Sequence, residues 1–147
     1  MESNAKPIEP CACFCKTSQM WHKYLELARR ELTGGNWEKA TSLYAMASNC
    51  AEKLLAYQQE HCVESYLRTN MEFLFAIRKS AYPISVDNFV AVVNAKIENF
   101  LAHHPSDRPL LSLTLPLKDI AYAPLVEVEH WMLVLAAMDE SQGEVRH

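Results

Sequence analysis

The feature that most constrains this chain is a four-residue break, Thr33-Gly34-Gly35-Asn36, set between two stretches of helical periodicity. Before it, Trp21, Tyr24, Leu25, Leu27, Ala28 and Leu32 recur at the three- and four-residue steps of one helix face. Lys23, Glu26, Arg29 and Arg30 occupy the opposite face. After the break, Trp37, Ala40, Leu43, Tyr44, Ala47, Ala51 and Leu54 form a second stripe. Glycine and asparagine suit the left-handed and capping conformations that end helices. Two amphipathic helices joined by so short a turn make an antiparallel hairpin, here expected over residues 20–56.

The rest of the chain also reads as helical. Val63, Tyr66, Leu67, Met71, Leu74 and Ile77 predict a third helix over 61–80, ended by Pro83. Phe73 and Phe75 widen its stripe, which suits burial on more than one side. A fourth helix, over 86–102, has Ser85 or Asp87 as its cap and Phe89, Val93, Ile97 and Phe100 on its face. Residues 105–124 contain Pro105, Pro109, Pro116 and Pro124, with leucines alternating from Leu111 to Leu117. That alternation predicts an extended connector across the bundle, or a short strand. A last helix is expected over 124–138, followed by a polar, frayed tail over 139–147. At the other end, residues 1–16 read as an irregular, flexible arm, with Thr17 or Ser18 capping the first helix. The expected fold is thus all-α: a single domain over 17–138 in which the hairpin is extended into a five-helix bundle.

Composition narrows the function classes. The net charge of −4 gives no basic field for nucleic acid. The longest uninterrupted apolar run, Trp131 to Met138, falls far short of the ~20 residues that span a bilayer. Five cysteines do not pair completely, and no leader-like apolar run is present, so a reducing cytoplasm is the expected compartment.

Within the hairpin, Ala28, Gly35, Trp37, Ala40, Tyr44 and Ala47 stand at spacings that resemble a tetratricopeptide (TPR-like) repeat. That family has a small residue midway along helix A, a glycine in the turn, then an aromatic, and on helix B a small, an aromatic and a small residue. The resemblance implies that alanines let the helices approach while Trp37 and Tyr44 fill the crevice between them and toward the next helix. It also implies a protein-protein interaction module, an adaptor or chaperone that binds a peptide or protein segment along helix A. Lys23, Tyr24, Leu27, Arg30 and Glu31 are the contact residues it suggests.

A second reading starts from Cys11, Cys13 and Cys15. Thiolates at alternate positions suit a soft ion such as Zn or Cu, with His22, Cys50 or Cys62 as a further ligand, or a redox-sensing role. Against enzyme function, there is no glycine-rich phosphate loop, nucleophile elbow or H-E-x-x-H motif. His61 and Cys62 are adjacent and diverge on a helix. Glu127 and Glu129 diverge likewise, and His103-His104 suits a helix end. The last helix is apolar nearly all round, so residues 125–138 are expected in the core or in a homodimer contact.

Overall fold

A computed structural model describes the backbone of residues 8–57, 62–104 and 117–145, and the side chains of 15–57, 62–104 and 117–137. Among the described residues there are six helices and no strand. They are α1 (Ile8–Thr33), α2 (Trp37–Ala56), α3 (Cys62–Ser80), α4 (Val86–His103), α5 (Leu117–Tyr122) and α6 (Leu125–Val145).

The break between α1 and α2 closes as a hydrogen-bonded helix stop. Asn36 donates its backbone N–H to Glu31 O (2.9 Å) and Gly35 donates to Leu32 O (3.1 Å), the paired bonds of a Schellman turn. Gly35 sits at φ +84°, where a side chain would meet the following carbonyl. Beyond the turn, α1 and α2 pack closely because their facing residues are small. Ala28, Ala40 and Ala47 are completely buried, and so is Tyr44, which fills the space that they leave. Trp37 lies toward the next helix, one of the two directions expected of it, and not between α1 and α2. It is 39% exposed, and the Lys79 amine lies 4.5 Å from its ring centroid. As the first residue of α2, it projects beyond the helix contact towards α3.

Helix α3 is the central element. It packs on α2 and also meets α4, α5 and α6. The stripe from Val63 to Ile77 is buried together with Phe75. Ser85 caps α4, its hydroxyl accepting from Asn88 N–H at 3.2 Å, and Val93, Ile97 and Phe100 turn into the core.

Three boundaries differ from the sequence expectation. The backbone of residues 8–16, expected in the irregular arm, belongs to α1. Pro10 is compatible with this because the amide it lacks is one that the first turn leaves unpaired anyway. Residues 1–7 lie outside the described set. The expected connector contains α5, whose Leu117, Ile120 and Ala121 are buried at helical spacing; residues 105–116, with Leu111, Leu113 and Leu115, lie outside the described set. Arg78 closes this short helix by donating from Nη1 to Ile120 O (2.8 Å) and Ala123 O (2.7 Å). Finally, the α6 backbone continues through Val145 rather than stopping near Met138, since polarity alone does not break a helix.

The two turn glycines should respond differently to alanine. Gly35→Ala forces a left-handed alanine and should cost about 1 kcal/mol. Gly34 has ordinary φ, and an added Cβ would meet Arg30 O at 3.5 Å, a normal contact. Gly34→Ala should therefore be neutral or stabilise by about 0.5 kcal/mol through the unfolded chain. Urea unfolding of the two variants measures the contrast.

Candidate functional site

The most buried charge in the described chain is on α3. Glu72 is 4% exposed, in a helix whose neighbours in space are otherwise mostly apolar. Four hydrogen bonds hold its carboxylate. Arg29 of α1 donates from Nε to Oε1 (2.8 Å) and from Nη2 to Oε2 (2.6 Å), a two-pronged pair. Arg68, one turn earlier on α3, donates from Nε to Oε2 at 2.8 Å. Tyr44 of α2 donates its phenol to Oε1 at 2.9 Å. One carboxylate thus receives donors from three helices. Burial, followed by the Glu72 charge, drives the Tyr44 hydroxyl far above the usual phenol range, so it stays a donor.

Beside this junction lies a cleft of about 470 Å³ between the α1–α3 layer and α6. Arg29, Arg68 and Glu72 line its polar side, while Leu32, Phe75 and Met132 contribute apolar surface. Trp37 and Leu133 also line it, and Leu133 is 67% exposed. Lys79 links the walls, lying over Trp37 of α2 and 3.5 Å from Glu129 Oε2 of α6. Such a cleft suits binding more than proton transfer, because both oxygens of Glu72 are engaged and Tyr44 is locked as a donor.

The residues expected to make contacts fall elsewhere. Lys23 and Arg30 are exposed and Leu27 is half-buried, whereas Tyr24 packs against the hairpin core. Glu31 accepts from Asn36 Nδ2 (2.8 Å) and pairs with Lys39 (3.6 Å). None of the five lines the cleft, to which α1 contributes Arg29, Leu32 and Thr33. The available signal was a line on α3, Arg68, Glu72, Phe75 and Lys79, at spacings of four, three and four residues. It runs alongside the apolar stripe and was obscured by it.

The described thiols differ in exposure. Cys15 is exposed, while Cys50 and Cys62 are buried, and burial raises the Cys50 pKa. The side chains of Cys11 and Cys13 lie outside the described set. Among the described residues, no group of three His, Cys, Asp or Glu is placed to hold a metal ion. His22 packs against the Trp21 ring at 4.6 Å, His104 stacks on Phe100 at 4.5 Å, and His103 Nδ1 lies 3.1 Å from Asn99 O. Helix α6 divides by face: Val128 and Leu135 are buried, while Val126, Leu133 and Val134 are exposed. No described helix is long and apolar enough to cross a membrane. Comparison of the chain with family models, curated proteins and solved structures finds no match.

Two measurements probe the junction. Glu72→Ala removes the carboxylate to which Tyr44, Arg29 and Arg68 donate and should cost about 3 kcal/mol. The melting temperature should fall by roughly 9 °C at about 3 °C per kcal/mol. Arg29→Ala, in a side chain that is 41% exposed, should cost about 1 kcal/mol.

The second measurement is alkaline unfolding. Burial raises the pKa of Tyr66 as well as that of Tyr44. Below the ordinary phenol pKa of about 10, both are neutral folded or unfolded, and their contribution to stability is complete. Above it the unfolded chain ionises while the folded one does not, so stability falls. The expected slope is about 1.4 kcal/mol per pH unit per tyrosine. Tyr44→Phe with Tyr66→Phe should remove most of that slope in denaturant titrations.

Proposed function

We propose that this chain is a protein-protein interaction module that binds a peptide or protein segment in the cleft between the α1–α3 layer and α6. The observation that carries the reading is the exposure of Trp37 and Leu133 on the lining of a cleft that also holds arginine. Aromatic, aliphatic and arginine side chains supply most contact energy at protein interfaces when their surface is covered. The TPR-like resemblance of the hairpin supports it further, as does the packing order in which α2 lies against both α1 and α3. On this reading the chain is an adaptor or chaperone rather than an enzyme.

The test is capture from cell extract with three versions of the chain. They are the wild type, Leu133→Glu, and the triple variant Cys11→Ser, Cys13→Ser, Cys15→Ser. Direct titration of any captured protein then follows. A partner that keeps its affinity for the triple variant and loses at least about tenfold with Leu133→Glu supports the cleft. A partner indifferent to Leu133→Glu overturns it. One equivalent of zinc or copper in the wild type, absent from the triple variant, would favour the metal or thiol reading instead.

A further inference from the structure

The outer face of α1 carries charges that the fold leaves unused. At 100° per residue, Lys16, Met20, Lys23, Leu27 and Arg30 fall within an arc of about 80°. The two cation-to-cation steps are each seven residues, so the stripe extends about 21 Å along the helix. Lys16, Lys23 and Arg30 are exposed, Met20 is 39% exposed and Leu27 is half-buried. The opposite side of α1 is occupied: Leu25 and Ala28 enter the hairpin core, and Trp21 and Arg29 reach Thr69 and Glu72 of α3.

Among the described residues, Lys16, Lys23 and Arg30 make no ion pair or side-chain hydrogen bond. Other cations of the fold are engaged: Arg29 and Arg68 with Glu72, Lys39 with Glu31, Lys79 with Glu129 and Lys96 with Glu52. In a chain of net charge −4, and with exposed Glu26 at the edge of the stripe, three cations still leave a local excess of positive charge, interrupted by apolar side chains at regular intervals.

We propose that the outer face of α1 docks an acidic amphipathic helix of another protein. Carboxylates of that helix, seven residues apart, would meet Lys16, Lys23 and Arg30, and its apolar side chains would cover Met20 and Leu27. Charge complementarity selects this occupant and sets its register. A membrane surface fits less well, because insertion needs an apolar face wider than about 100°. The apolar part of this stripe is two residues in a narrow seam, and the wide apolar face of α1 is already packed. Single-stranded nucleic acid would call for stacking platforms between the cations, and the stripe has no aromatic residue. The surface is separate from the cleft, so either proposal can fail without the other.

The test uses the full chain and two labelled synthetic helices of about three heptads. One has Glu every seventh residue with Leu between; the other has the same composition, scrambled so that its carboxylates circle the helix. Fluorescence anisotropy should show the first binding at least about tenfold more tightly than the second. Binding should weaken steeply between roughly 50 and 300 mM salt. The double variant Lys23→Glu, Arg30→Glu should lose at least about tenfold in affinity for the first helix, whereas Lys23→Arg should keep it. Both changes are at exposed positions, and circular dichroism checks that the fold is intact. Leu133→Glu should bind the helix as the wild type does, which separates this surface from the cleft.

Several outcomes overturn the proposal. Equal binding of the two helices would mean diffuse charge attraction only. Unchanged binding by the double variant would place the contact elsewhere. Stronger binding to vesicles of phosphatidylcholine and phosphatidylserine than to the heptad helix would make the face a membrane contact. Sedimentation of the wild type as a dimer, with the double variant monomeric, would make a second copy of this chain the occupant.

Discussion

The fold depends on how one buried carboxylate is satisfied. Glu72 sits where α1, α2 and α3 converge, and an ionised group there is costly unless several donors surround it. Arg29, Arg68 and Tyr44 supply them, and in doing so they fix the positions of the helices. The bond from Trp21 Nε1 to Thr69 Oγ1 (2.9 Å) adds a second tie between α1 and α3, nearer the start of both helices. Apolar packing alone would tolerate small slips of one helix along another, whereas a fork of hydrogen bonds on one carboxylate does not. The hairpin and the α3 layer are therefore held in register by polar chemistry inside an otherwise apolar contact.

The same junction shapes the cleft beside it. Because Arg29 and Arg68 turn inward to Glu72, their stems and the aromatic rings nearby form one wall, and α6 forms the other. Helix α6 buries Val128 and Leu135 and leaves Val126 and Leu133 exposed. The opening thus has a firm side, anchored by the carboxylate, and a side made by a helix whose apolar residues are only partly used. That asymmetry is what a docking surface needs: a fixed template next to uncovered hydrophobic area.

Much of the all-helical architecture was legible because it follows from spacing. The break at Gly34-Gly35, the buried stripe of α3 from Val63 to Ile77 and the Ser85 cap each rest on local rules that act within a few residues. Where reading failed, the deciding factor lay outside the segment. Leucines alternating up to Leu117 suggest extended chain, but α5 forms with Leu117, Ile120 and Ala121 packed against α3 and its end closed by Arg78, more than 40 residues away in sequence. The contact residues expected on α1 are parted by packing: Lys23, Leu27 and Arg30 stay on its outer side, and none of the five lines the cleft. Periodicity identifies which residues share a face, but not which neighbour that face meets. Tyr24 and Glu31 turned out to belong to the hairpin, and Arg29 to the cleft.

The sequence by itself determined the hairpin with its turn and the presence, though not every boundary, of the other long helices. Ala28, Ala40 and Ala47 are small enough for close approach, Gly35 accepts a positive φ, and the apolar stripes must be hidden from water wherever the chain goes. The tertiary structure alone decided which charges became internal and which stayed outside. Arg29 and Arg30 are adjacent in the chain and chemically identical. The helix by itself sets them 100° apart, but only the packing of α3 on one of those directions ties Arg29 to Glu72 and leaves Arg30 in solvent.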